Sequence, residues 1–232
     1  MPAQTITVNA VDGAFSAYLA APAAGRGPAI VVIQEIFGVN AAMREVADEF
    51  AASGFFVAVP DLFWRLEPGV QLTDKTDAEW SHAFALMKRF DAASGVKDIQ
   101  AAITHLRKLP GCTGKVGAVG YCLGGFLAYL TAARTDSDAS VGYYGMNIPN
   151  FLSEAANIRK PLMLHVAGKD EYNPPEAQKQ VSDALAGNGL VTINTYPEMS
   201  HAFARPGGGH YDRANAELAN GRTITFFRQH LS

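Results

Sequence analysis

The sequence predicts an α/β protein with a mostly parallel central sheet, helices on both faces and an N-terminal antiparallel hairpin. Three observations predict it. Six short apolar runs, at 29–35, 55–61, 115–121, 139–145, 161–168 and 191–197, are of the kind buried on both faces in parallel sheets. Helical patterns separate these runs, and strand and helix alternate to the end of the chain. No linker, internal repeat or low-complexity tract interrupts the alternation, so residues 1–232 read as one domain.

The elements follow in order. Residues 5–8 and 14–20 flank the turn-rich "NAVDGA" and form the starting hairpin. "NAAMREVADEFAASG" (40–54) places Met43, Val46, Ala47 and Phe50 on one helical face, with Asn40 as cap and Gly54 as stop. The interval from Asp61 to Val116 holds two helical patterns, 76–91 and 95–110, where a single crossover needs one. The extra helix is expected over the C-terminal strand ends, where open α/β sheets bind ligands. Helices also follow Cys122, at 174–188 behind an opening pair of prolines, and at 211–231.

Composition narrows the partners. Of 232 residues 48% are hydrophobic and 18% charged, as a compact soluble fold requires. The net charge of −3 is spread over both signs without a basic block, which argues against nucleic acid or an anionic membrane and favours a small-molecule partner. No signal-peptide pattern opens the chain, and no run of about 18 apolar residues occurs, so a cytoplasmic protein is expected. Cys112 and Cys122, the two cysteines, flank a strand that holds them roughly 20–30 Å apart at ~3.3 Å per residue. They cannot pair with each other, and two free thiols suit a reducing compartment.

"GAVGYCLGG" (117–125) contains Gly120, Cys122 and Gly124, the Gly-x-nucleophile-x-Gly spacing of a nucleophile elbow. A nucleophile on so sharp a strand-to-helix turn crowds the residues two positions away, and glycine relieves the crowding. The helix N-terminus that follows stabilises a thiolate or an oxyanion. The competing reading is a small buried cysteine in a packed core. A thiol nucleophile needs a base, and of six histidines only His201 stands in a loop after a strand at the C-terminal edge of the sheet. His82 and His105 fall in helices, His165 in an apolar strand, and His210 and His230 in polar C-terminal segments. Asp170, just past the strand 161–168, is the candidate to orient His201, and Asp61 at the end of "VAVPD" is its rival. The order Cys122, Asp170, His201 is that of α/β-hydrolases. Glu35 ends the strand 29–35 where the oxyanion loop of that fold begins; there it can hold the Cys122 thiol protonated until substrate displaces it.

"QEIFGVN", "VAVPDLF", "VGYCLGG", "VGYYG" and "SHAFAR" together resemble the dienelactone hydrolase family, in family order, from about residue 29 to the end of the chain. The resemblance implies Cys122 as nucleophile, His201 as base, Asp170 as its partner and Glu35 as the acceptor restraining the resting thiol. It places the oxyanion hole at the backbone N–H groups of Ile36 and Leu123, and implies no cofactor and no metal. The family's named reaction opens an anionic dienelactone to maleylacetate through an acyl-enzyme, with arginines holding the substrate carboxylate. Arg205 matches one of these; the other position falls on Trp80, beside an apolar Phe84 and Met87, and Ala202 stands where a hydroxyl residue is common. These departures leave two substrate classes open, a small anionic lactone or a neutral, more apolar ester or thioester. Trp80 itself is either pocket wall or core. Tyr144 is a further candidate for the pocket, and Phe37 for pocket or contact surface. A non-catalytic binding protein on the same scaffold is disfavoured because all three triad residues are present. A monomer or weak homodimer is expected.

Overall fold

The computed structural model describes residues 3–232. Among these residues eight strands form one sheet in the order β1-β2-β4-β3-β5-β6-β7-β8. β1 (Gln4–Ala10) and β2 (Gly13–Ala20) make the expected hairpin, and β2 continues antiparallel onto β4 (Phe56–Pro60). From β4 onward every neighbouring pair is parallel: β3 (Gly27–Ile33), β5 (Cys112–Tyr121), β6 (Ala139–Tyr143), β7 (Leu162–Ala167) and β8 (Val191–Tyr196). The central strands β3, β4 and β6 are almost wholly buried, which their unbroken apolar runs require. β8 departs from the expectation of burial on both faces. It is the last strand of the sheet, and its residues are mostly half-buried or exposed.

Among the described residues six α-helices surround the sheet: α1 (Ala41–Ala52), α2 (Asp77–Arg89), α3 (Ala92–Arg107), α4 (Leu123–Arg134), α5 (Pro175–Leu185) and α6 (Arg213–His230). α1 begins where Asn40 accepts the Met43 N–H at 3.1 Å, and Met43, Val46, Ala47 and Phe50 form its buried face. Phe50 meets Phe227 of α6 at 6.2 Å between ring centroids, joining these helices on one face of the sheet. α3 and α4 pack together on the other face. Leu123 to Ala132 are all buried, so α4 is apolar all round and belongs to the interior. Each large side chain buried there contributes about 1.5–3 kcal/mol.

The two helices between β4 and β5 divide their work. α3 makes the crossover, packing on β3, β4 and β5, and buries Val96, Ile99, Ile103 and Leu106. α2 buries only Ala83 and Leu86 and stands over the strand ends as a wall. Cys112 and Cys122 lie at opposite ends of β5, and both are free thiols. Among the described residues no helix is long and apolar enough to cross a membrane.

Candidate active site

Cys122 sits between β5 and α4 with φ 56° and ψ −114°, a backbone conformation that non-glycine residues rarely adopt. Its own N–H is tied to the Tyr143 carbonyl at 3.1 Å, and its carbonyl accepts the Phe126 N–H at 3.2 Å, so both sides of the bend are anchored. The flanking glycines are obligatory. A Cβ on Gly120 would lie 1.9 Å from the Gly124 oxygen, and one on Gly124 would lie 2.2 Å from the Ile33 oxygen. Leu123 opens α4, so its N–H has no intrahelical acceptor. Glu35 was expected as the last strand residue; β3 instead stops at Ile33, and Gln34 and Glu35 begin the turn that carries Ile36 into the pocket.

His201 follows β8 in the loop where it was expected and is buried. Its Nδ1 lies 3.0 and 2.9 Å from the two oxygens of Asp170, which is itself buried after β7. The His201 Nε2 is buried without a hydrogen-bond partner among the described residues, and Cys122 and His201 line the same small pocket. Burial alone would lower the pKa of His201. Negative charge on Cys122, with the Asp170 carboxylate behind it, outweighs burial and pushes the value up to about 10. Asp61, the rival acid, is occupied elsewhere: its oxygens accept the Phe63 and Gly69 N–H groups at 3.1 and 2.7 Å and shape the loop between them.

Glu35 departs from the expected contact with the thiol. Its carboxylate pairs with Arg205 instead, at 2.6 Å to Nε and 3.2 Å to Nη2, and both side chains are buried. A guanidinium presents its donors in a fixed fork that matches a carboxylate, and a buried glutamate with such a partner in reach has little reason to face a thiol. The third nitrogen, Nη1, donates to Asp74 at 3.0 Å. Arg205 therefore lines the pocket already holding two carboxylates.

The walls answer the remaining sequence questions. Trp80 lines the pocket with Phe84 stacked on it at 5.5 Å, and its indole N–H donates to the Asp74 carbonyl at 3.1 Å. Phe37 does not line the pocket. It is fully buried beneath the site, 5.0 Å from the Arg205 guanidinium carbon and edge-on to Trp80, and supports both from below. Tyr144 is also buried rather than exposed to the pocket; its ring stands edge-on to His201 at 5.0 Å and its hydroxyl has no partner. Sequence reasoning missed Asp74, Met146 and Tyr172. Tyr172 packs edge-on to His201 at 4.9 Å, and its N–H donates to Asp170 at 2.9 Å. The Asp-x-aromatic spacing of "DEY" was the one available signal for it. Beyond Met87, Met146 and Tyr172 the pocket adjoins a groove of about 520 Å³ floored by Leu123 and Phe126, with Asn147, Asn150 and Asn173 at its edge. Among the described residues no group of three His, Cys, Asp or Glu side chains is placed to hold a metal ion.

Comparison with known proteins gives the family of the chain. The sequence profile of the dienelactone hydrolase family matches residues 15–231. A relative from Azospirillum brasilense, named "Putative carboxymethylenebutenolidase", is 50% identical over 228 residues and 95% of each chain. The "Carboxymethylenebutenolidase" of Pseudomonas putida is 37% identical over 97% of this chain and 96% of its own. Among solved structures, a "Putative Dienelactone Hydrolase" from Klebsiella pneumoniae superposes with a TM-score of 0.86 at 25% identity, covering 98% of both chains. With the family profile matching residues 15–231 and relatives at 37–50% identity covering 95–97% of the chain, the protein belongs to the dienelactone hydrolase family and is a hydrolase of that type.

Proposed function

We propose that the protein opens a small lactone or ester through a covalent thioester on Cys122, with His201 as general base and acid and Asp170 as its orienting partner. The observation that carries this reading is the His201 ring, gripped by Asp170 at Nδ1 and left with a buried, unpartnered Nε2 beside Cys122. A buried nitrogen without a partner is costly, and a proton passing between thiol, leaving group and water gives it one at each step.

In the first step the Cys122 sulfur, its proton passed to His201 Nε2, adds to the substrate carbonyl, and the electron pair of the C=O bond moves onto oxygen. The N–H groups of Ile36 and Leu123 receive that oxyanion, a contribution worth several kcal/mol when donors are fixed in advance. Collapse of the adduct breaks the acyl C–O bond, and the imidazolium of His201 protonates the departing oxygen. In a lactone that oxygen remains tethered to the acyl chain. His201, now neutral, takes a proton from water; the hydroxide attacks the thioester, and the carboxylic acid leaves as the thiol is restored. The names of the relatives make a carboxymethylenebutenolide the first substrate to try. Two free thiols are compatible with a reducing, cytoplasmic setting.

The test is kcat/KM for carboxymethylenebutenolide in the wild type, Cys122→Ala and His201→Gln, with circular dichroism to confirm folding. Loss of about a thousandfold or more in both folded variants is expected. Turnover that persists in Cys122→Ala excludes the covalent route.

A further inference from the structure

We infer that Asp74 sets the charge selectivity of this pocket, and that the substrates the site takes best are uncharged lactones or esters. The inference rests on the hydrolase reading of Cys122 and names the substrate class for it. Arg205 is the guanidinium that shares the pocket wall with Cys122 and His201. Its guanidinium is already committed, with Nε and Nη2 on Glu35 and Nη1 on Asp74. The side chains of Glu35, Asp74 and Arg205 are 0%, 10% and 8% exposed, so the pairings are poorly screened. Around the guanidinium one buried positive charge thus faces one buried and one half-buried negative charge, while the charge on His201 is already matched by Asp170 and Cys122. A substrate carboxylate would arrive as the third anion on a single guanidinium, or would have to displace one of the residents.

The other charges nearby do not reverse this balance. Lys75 lies 3.2 Å from Asp74, but its side chain is 60% exposed and also donates to the Gly207 carbonyl, on the water side of the loop. There its field is screened. Asp74 remains ionised beside its two cations: burial raises its pKa, and Lys75 and Arg205 together bring it below the ordinary value.

Asp74 is also held in place. Thr73 donates from its backbone N–H and its hydroxyl to Glu79, both at 2.8 Å, and Trp80 donates its indole N–H to the Asp74 carbonyl. The loop that enters α2 is therefore clamped to the first turn of the helix, and the carboxylate is presented to Arg205 without needing substrate to order it. The same clamp fixes Trp80 across the pocket. With Ile36, Phe84, Met87 and Met146 completing the wall, a neutral acyl group meets apolar surface, whereas an anion meets a guanidinium already saturated.

The experiment compares carboxymethylenebutenolide with its methyl ester, two molecules that carry the same ring and differ in charge. Ring opening is followed in the wild type, Asp74→Asn and Asp74→Glu. The wild type is expected to favour the methyl ester in kcat/KM. Asp74→Asn is expected to raise the acid-to-ester ratio at least tenfold, mainly through a lower KM for the acid, and Asp74→Glu to restore the wild-type ratio. Asp74→Ala, which keeps the carbonyl that Trp80 uses, replaces the asparagine variant if that one does not fold. A ratio in Asp74→Asn within twofold of the wild type overturns the inference, as does a tenfold wild-type preference for the acid. Calorimetric binding of both lactones to Cys122→Ala, with and without Asp74→Asn, gives the same comparison in the absence of turnover. If the wild type opens neither lactone, the hydrolase reading fails, and the binding ratio still decides the role of Asp74.

Discussion

Arg205 grips Glu35 with two N–H groups, at 2.6 and 3.2 Å, in a site from which water is almost excluded. Two charges removed from water are tolerable only while each has the other. Arg205→Met leaves the carboxylate buried without its cation and is expected to cost about 3–5 kcal/mol in urea unfolding. The double variant Glu35→Gln/Arg205→Met should cost less than the sum of the two single variants, with a coupling of about 2 kcal/mol. Strict additivity would show that the pair contributes nothing as a pair.

The turn at Cys122 holds a strained backbone. Cys122 holds φ 56° and ψ −114°, which costs of order 1–3 kcal/mol for a residue with a side chain. Cys122→Gly removes that cost at the expense of some chain entropy, and should gain about 1 kcal/mol while abolishing turnover. Cys122→Ala keeps the Cβ and should gain nothing. Thermal unfolding of the two variants beside the wild type decides the matter, and equal melting temperatures for glycine and alanine would remove strain from the account.

His201 should titrate near pH 10, with the charge on Cys122 as the principal reason. Its pKa is raised in the folded protein above the ordinary value of about 6.5. The native state therefore keeps a proton that the unfolded chain has lost. The stability this gives is fully present below about pH 6.5 and is lost as pH rises through about 10. In Cys122→Ala, NMR titration of the His201 ring should find the midpoint moved down to below about pH 9. An unchanged midpoint would assign the effect to Asp170 alone.

His165 has the opposite sign. It lies in β7 between the Tyr196 hydroxyl and the Thr223 hydroxyl, at 2.9 Å from each, and burial holds its pKa down to about 3. Between about pH 6.5 and pH 3 the unfolded chain binds a proton that the native ring refuses, so stability falls as the solution is acidified. The slope from this one group is about 1.4 kcal/mol per pH unit. Urea unfolding from pH 7 to pH 4 should show His165→Gln with a shallower decline than the wild type. Parallel profiles would mean that His165 is protonated in the fold.

What the sequence determined by itself is whatever depends on near neighbours. Unbroken apolar runs become the parallel strands, because a strand covered on both faces has no polar side to show. Met43, Val46, Ala47 and Phe50 repeat at helical spacing and therefore share one buried face. Gly120 and Gly124 mark the elbow because a side chain at either would strike backbone. Chain order, with each candidate at the end of a strand, was enough to predict that Asp170 and His201 meet, since successive parallel strands deliver their ends to the same edge of the sheet.

The tertiary structure decided the contacts that no spacing encodes. Glu35 and Arg205 lie 170 positions apart, and Asp74 joins them from a third loop. Nothing local tells a carboxylate whether a thiol or a guanidinium will be nearest. Phe37 falls under the site and Trp80 across it, although both are aromatic residues near strand ends. Charge pairing and burial are settled by distance in space, and that distance is set only when the loops at the C-terminal edge of the sheet are packed against one another.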